Sequence, residues 1–210
     1  MTDPIRRVAA FDFDGTITQR DTLLGFLRHV GGSGRTARAL VTHSPGLARG
    51  LRHDESRDTA KEAVLGDILR GRAEREVVEA GGRYAELLPS RFRPDIVERV
   101  RWHRDEGHEL VIVSASLVYY LHPVAEALGV GHVIGVEMEV ADDGRLTGSL
   151  AKANVRAAQK EVRLREWLGN TGDSADDRAL ELWAYGNSSG DDQLLAMSDH
   201  PVWVGKRADR

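Results

Sequence analysis

The sequence predicts an α/β fold: a parallel sheet covered by helices on both faces, interrupted after its first strand by an all-helical insertion. Three observations carry this. Short apolar runs at 8–13, 109–114, 182–186 and 201–204 read as buried strands that end in small or polar residues. After Pro94 these runs alternate with helical patterns, and that alternation implies a parallel sheet. From about Gln19 to about Pro89 no convincing strand appears, and the chain is rich in Arg, Ala, Leu and Glu at helical spacing.

The elements follow in order. Val8-Ala-Ala-Phe-Asp-Phe ends abruptly at Asp14-Gly15-Thr16, as a buried strand opening into a turn does. The insertion has Gly or Pro punctuation near 31–34, 44–46 and 81–82. It reads as three or four helices, with Asp54–Leu69 and Ala73–Leu88 the clearest. The chain thus divides into an α/β core of residues 1–18 and 90–210 and a helical cap of residues 19–89. Asp95–Glu106 is an amphipathic helix stopped by Gly107, Glu109–Ser114 a strand, and Leu117–Leu128 a helix ending at Gly129. His132–Val140 and Thr147–Leu150 flank Asp142-Asp143-Gly144, a hairpin signal. Val155–Leu168 is helical, Leu182–Gly186 a strand, Asp191–Met197 a short helix and Pro201–Val204 the last strand.

Composition narrows the chemistry. The 210 residues suffice for one sizeable core plus a small inserted domain. A net charge of −4 provides no basic field of the kind that tracks nucleic-acid phosphates. The longest apolar stretches, such as Leu110–Val113, are too short to span a bilayer, so neither a nucleic-acid nor a membrane partner is expected. There is no cysteine, so disulfides and thiolate metal sites are excluded. The start, Met1–Arg7, has no signal-peptide apolar region, and a cytoplasmic location is expected. The oligomeric state is left open. The eight histidines are scattered without metal-ligand spacing, so carboxylates, hydroxyls and lysine are the candidates for chemistry.

Ligands of such sheets bind beyond the carboxyl ends of the strands. Three polar clusters fall there: Asp12–Thr16, Ser114–Ser116 and Gly186–Asp192. Asp12 and Asp14, one residue apart at a strand end, repel each other unless a cation or ligand compensates. A hard divalent ion with oxygen ligands, above all Mg²⁺, suits them. Gly15 lets the backbone turn sharply and approach an anion. Asp-x-Asp alone would serve equally as a solvated turn; followed by Gly-Thr after an apolar strand, it points to function. Ser114, with the N–H groups that follow it, either holds a phosphate oxygen or caps a helix, and the two roles can coexist. Asn187 and Asp191 supply oxygens in a loop of small residues, or form a simple turn with an N-cap. Nothing separates Lys160 from its neighbours Arg156, Arg163 and Arg165, and by pattern alone it is a solvated face. Tyr119, Tyr120 and His122 line the cleft, pack in the core or lie exposed at the surface. The insertion's arginines (Arg28, Arg35, Arg38, Arg49, Arg52, Arg57) favour anionic substrates or simply face solvent.

Taken in order, Asp12-x-Asp14-Gly15-Thr16, Ser114 after a strand, Lys160, and Gly186-Asn187-Ser188-x-x-Asp191 resemble the haloacid dehalogenase-like hydrolase superfamily. The helical insertion, Val-Ser-Ala-Ser and Tyr-Gly-Asn-Ser-x-Gly-Asp are similar to its phosphoserine-phosphatase-like branch. The resemblance spans nearly the whole chain. It implies a Rossmann-like core with a helical cap, and a Mg²⁺-dependent phosphatase acting on a small-molecule phosphomonoester. By the same resemblance Asp12 is the nucleophile that carries an aspartyl-phosphate. Asp14 is the general acid and then base. The Asp12 carboxylate, the Asp14 backbone carbonyl and Asn187 bind the metal, and Asp191 orients metal-bound water. Ser114 and Lys160 neutralise the transferring phosphoryl group, with Gly15, Thr16 and Ala115 completing its loop.

Two departures qualify that picture. Many relatives have Asp at the position of Asn187, whose neutral amide predicts weaker metal affinity. The acid and the cap base that bind phosphoserine are best matched here by the shorter Asp21 and by Lys61, a point charge rather than a fork. Phosphoserine is therefore not favoured over histidinol phosphate, sugar or lipid-head phosphates, and Asp21 and Lys61 read equally as an N-cap and a solvated face. The competing functions are a phosphotransferase or phosphomutase using the same intermediate, a non-catalytic phosphate-binding module, and a receiver domain, which the long insertion opposes.

Overall fold

The computed structural model describes residues 5–49, 54–170 and 179–205. Of the positions named above, Met1–Pro4 and Arg52 lie outside them. The strands are β1 (Arg6–Phe11), β2 (Glu109–Leu117), β3 (His132–Val136), β4 (Met138–Val140), β5 (Leu146–Leu150), β6 (Leu180–Gly186) and β7 (His200–Trp203). Five of them form a parallel sheet in the order β3-β2-β1-β6-β7. The uninterrupted apolar runs have their reason here. Val8 to Phe11 and Val111 to Val113 are completely buried, as strands covered on both faces must be.

β1 lies at the centre, with Phe11 opposite Ile112 of β2 on one side and Tyr185 of β6 on the other. The chain leaves β1 first toward β2 and β3 and later returns to β6 and β7. That reversal opens a crevice at the end of β1, which is the ligand site of open parallel sheets. The three polar clusters expected at strand ends do converge there.

Among the described residues, five α-helices fill the insertion at 19–89: α1 (Leu23–Gly31), α2 (Ser33–Thr42), α3 (Ser44–Arg49), α4 (Asp54–Leu69) and α5 (Glu74–Ala85). Three or four were expected. The extra boundary falls at Ser44-Pro45, where a proline lacking an N–H begins a new helix more readily than it continues one. After β1 come also α6 (Pro94–Asp105), α7 (Val118–Leu128), α8 (Ala158–Asn170) and α9 (Asp192–Ala196). α5 crosses α7 at Gly81, where a Cβ would collide with the Tyr119 carbonyl, so only glycine allows this approach. Phe26 of α1, Tyr84 of α5 and Tyr120 of α7 pack ring against ring at 4.9–5.6 Å, which joins the inserted helices to the sheet through one continuous apolar core. Tyr119 and Tyr120 are buried and pack in the core.

Three boundaries differ from expectation. His132–Val140 is not one arm of a hairpin. β3 joins the parallel sheet, and after Glu137 only β4 pairs with β5. A run of apolar residues gives no sign that its two halves serve different sheets. β2 does not end at Ser114 but continues to Leu117 through a register shift between Val113 and Leu117. Such a bulge re-aims the side chains of residues 114–116. The helix carrying Lys160 begins at Ala158, not Val155, because Ala157 takes a left-handed φ of 50° that no helix continues through. Among the described residues, no helix is long and apolar enough to cross a membrane.

Candidate active site

Asp12 follows the last residue of β1, and its backbone N–H donates to the Tyr185 carbonyl of β6 at 2.9 Å. This anchor aims its carboxylate into the crevice, yet the residue is 6% exposed. Each carboxylate oxygen has a separate partner. Oδ1 accepts from Lys160 Nζ at 2.5 Å, and Oδ2 accepts from Thr16 Oγ1 at 3.0 Å. Lys160 Nζ also donates to Asp191 Oδ1 at 2.6 Å. An ammonium stripped of water costs several kcal/mol unless charges surround it, and two carboxylates flank this one.

The electrostatics follow from that arrangement. Burial works against the charged Lys160 ammonium, but Asp12 and Asp191 outweigh it and hold the group above its ordinary value. Burial likewise opposes Asp191, which Lys160 and the loop N–H groups hold below the usual carboxylate range. Burial raises Asp12, helped by the Asp191 charge and opposed by Lys160.

Asp191 also fixes its own loop. Its Oδ2 accepts from the N–H groups of Asn187 and Ser188 at 3.1 and 3.0 Å and from Ser188 Oγ at 2.9 Å. Both oxygens are thus committed to scaffolding. The Ala157 N–H donates to the Gly190 carbonyl at 3.0 Å, which ties this loop to the turn ahead of Lys160. Left-handed backbone at Ala157 is a strain the surrounding contacts must over-determine.

Asn187 meets the Asp12 turn over Gly15. Gly15 has φ 84°, and a Cβ there would collide with the Asn187 amide. Glycine therefore serves both the turn and the close approach. Asp12 Oδ2 and Asn187 Oδ1 both face Thr16 Oγ1, at 3.0 and 3.4 Å. Lys160 occupies only the other carboxylate oxygen. A carboxylate oxygen and an amide oxygen side by side, with the Asp14 carbonyl in the same turn, are donors of the hard type that Mg²⁺ takes. The set relies on an amide and a backbone carbonyl: among the described residues, no three His, Cys, Asp or Glu side chains gather as an ion site.

Asp14 faces away from this group. Oδ1 accepts from the Thr22 N–H and from Thr22 Oγ1, both at 2.7 Å, and Oδ2 pairs with Ser116 Oγ. Burial and then the Asp21 charge raise its pKa to about 7, against the pull of the Ser116 and Thr22 hydrogen bonds. Ser114 is 1% exposed, and its Oγ accepts the Ser116 N–H at 3.1 Å. Asp21 accepts the Leu24 N–H at 3.3 Å, which is the capping role, while its charge acts on Asp14. Lys61 is not on a solvated face. Its Nζ donates to the Ala115 carbonyl and, at 2.7 Å, to Asn154 Oδ1. Arg28, Arg35 and Arg38 are exposed. A surface groove of about 1110 Å³ over α5, α7 and β4 contains none of the site residues.

The structure therefore gathers Asp12, Gly15, Thr16, Lys160, Asn187 and Asp191 into one cluster, with Asp14 and Ser114 beside it. Sequence reasoning missed Thr22 and Ser116 around Asp14, whereas Tyr120, named above, lies 3.2 Å from Thr22 Oγ1. Ser116 lay within a recognised polar cluster, so it carried a signal; Thr22 carried none beyond proximity.

Comparison with known proteins decides the family. The family model described as haloacid dehalogenase-like hydrolase matches residues 9–196. The chain belongs to the haloacid dehalogenase-like hydrolase family. Protein CicA of Caulobacter vibrioides is 36% identical to this hydrolase over 205 residues, covering 96% of this chain and 88% of CicA. A histidinol-phosphatase of Neisseria meningitidis is 28% identical over 110 residues, or 52% of this chain and 49% of that one. In fold, the hydrolase resembles phosphoserine phosphatases. A phosphoserine phosphatase solved as a phospho-aspartyl intermediate analogue superposes with a TM-score of 0.60 at 15% identity, covering 93% of this chain and 84% of the other.

Proposed function

We propose that this hydrolase is a Mg²⁺-dependent phosphatase that moves the phosphoryl group of a small-molecule phosphomonoester onto Asp12 and then onto water. The observation that carries this reading is the division of the Asp12 carboxylate. One oxygen is held by a buried lysine, and the other shares the Thr16 hydroxyl with the Asn187 amide oxygen. The phosphatase among its relatives supports it.

In the first half-reaction an Asp12 oxygen attacks phosphorus and the bond to the substrate oxygen breaks. Asp14 supplies the proton that the departing alkoxide needs. Its pKa near 7 leaves a protonated fraction at neutral pH. In the second half-reaction water attacks the phosphorus of the acyl phosphate and Asp14 takes the water proton. Phosphate leaves, and Asp12 returns as a carboxylate. Lys160 and the backbone around Ser114–Ala115 offset charge on the transferring group, where preorganised donors act most strongly. Mg²⁺, when held by the Asp12 carboxylate, the Asp14 carbonyl and Asn187, would supply charge neutralisation at the phosphoryl oxygens.

Residues 19–89 form the cap in this reading, closing over the substrate and excluding water. Lys61, donating to the Ala115 carbonyl next to Ser114, would lie at the junction of cap and phosphate loop. The test is a phosphate-release screen of the purified protein against phosphorylated metabolites, including phosphoserine and histidinol phosphate, with Mg²⁺ and with chelator. Release that needs Mg²⁺ and vanishes in Asp12→Asn is expected. Release unaffected by that substitution, or phosphate passed only to an organic acceptor, would overturn the reading.

A further inference from the structure

Asp14 is enclosed by a ring of hydroxyl groups whose hydrogen-bonding capacities differ. Thr22, at the start of α1, presents an N–H and an O–H to Oδ1, both at 2.7 Å. An N–H can only donate, so Oδ1 is kept as an acceptor. The acid proton is thereby assigned to Oδ2, whose partner is Ser116 Oγ on the bulged part of β2. The Tyr120 phenol lies 3.2 Å from Thr22 Oγ1 and packs against this group. Ser116, Thr22 and Tyr120 are all 0–1% exposed, so bulk water does not replace any of these bonds.

A hydroxyl in that position can do what a methyl group cannot. Beside a neutral carboxyl it accepts the Oδ2 proton. Once that proton has gone to the leaving oxygen, the same hydroxyl turns and donates to the new carboxylate. The Ser116 hydrogen never leaves its oxygen. The transferred proton comes from Asp14 alone, so the balance closes. The bond is stronger to the charged product of transfer than to the neutral acid, and an interaction that grows along the reaction lowers the barrier.

We propose that Ser116 is a positioning residue for Asp14: it fixes the proton-bearing oxygen and stabilises the carboxylate that forms as the leaving group is protonated. This rests on the phosphatase reading above. Its distinctive consequence is a dependence on the leaving group, because a good leaving group needs little protonation and a poor one needs much.

The experiment compares hydrolysis of p-nitrophenyl phosphate and phenyl phosphate by wild type, Ser116→Ala and Ser116→Thr, with folding checked by circular dichroism. Loss of one hydrogen bond should cut kcat/KM about tenfold on phenyl phosphate and less than about twofold on p-nitrophenyl phosphate. Ser116→Thr, which keeps the hydroxyl, should retain the wild-type ratio between the two substrates. Equal losses on both substrates would show a merely structural role and overturn the proposal. Should Ser116→Ala fail to fold, a changed ratio in Ser116→Thr overturns it and an unchanged one supports it. A wild type that releases phosphate from neither ester nor any metabolite of the screen would remove the phosphatase reading itself, and this inference with it.

Discussion

Lys160→Met is the perturbation that asks most of the buried charge cluster. Methionine keeps the apolar stem and removes the ammonium. Lys160 is 2% exposed and stands 2.5 Å from Asp12 and 2.6 Å from Asp191, so the variant leaves two buried carboxylates without a counter-charge. Removing one partner of a buried pair costs about 3–5 kcal/mol, a large share of the roughly 5–15 kcal/mol total of a folded protein. We expect urea unfolding at pH 7 with chelator to report a loss of that size. The pH dependence has a definite sign. In the wild type, burial notwithstanding, Lys160 holds the Asp191 pKa below its ordinary value. That contribution is present above the unfolded carboxylate pKa and is lost as pH falls through the folded one. The variant lacks it, so the gap between variant and wild type should narrow as pH is lowered below about 4. Lys160→Met with Asp191→Asn should be less unstable than the sum of the single changes predicts. A loss below about 1 kcal/mol, typical of an exposed ion pair, or simple additivity, would refute the account of this cluster.

Further outcomes are expected at the same site. Asp14 has a pKa of about 7, raised by burial and then by Asp21; as the acid it must be protonated, so kcat/KM for poor leaving groups should fall as pH rises through about 7. Asp21→Asn removes a raising charge, so this limb should move to lower pH; a move to higher pH contradicts the assignment. Gly15→Ala must adopt φ 84° and push the Asn187 amide aside, costing at least about 1–2 kcal/mol from the backbone alone. Thermal unfolding should show that loss together with weaker Mg²⁺ activation, and an unchanged Tm would count against the close approach. Asn187→Asp adds a charge where a metal oxygen ligand is proposed and should lower the Mg²⁺ concentration for half-activation; identical values would remove Asn187 from the metal site.

The legible parts of this molecule were those with short-range causes. Val8–Phe11 and Glu109–Val113 had to be buried strands because nothing else hides such runs. Asp12, Ser114 and Asn187 could be placed together because parallel strands deliver their carboxyl ends to one edge. Lys160 was not legible from pattern. Its burial depends on Asp12 and Asp191, 148 and 31 residues away, and periodicity within α8 does not distinguish it from the exposed Arg165. It entered only through resemblance to a family. Ser116 and Thr22 escaped for a similar reason: the bulge that aims one and the turn that aims the other exist only after β2, α1 and α7 have packed. The split of 132–140 between two sheets was hidden because β3 and β4 share one apolar run with no Gly-Pro or Asn-Gly break at Glu137.

The central claim is that Asp12 carries the phosphoryl group. Its most direct test is to quench the enzyme in acid during turnover of a substrate found by the screen and to map phosphorylation by mass spectrometry. We expect a phosphorylated peptide whose modified residue is Asp12, absent from Asp12→Asn. Turnover without any phosphorylated Asp12, or with the phosphoryl group on another residue, would contradict it.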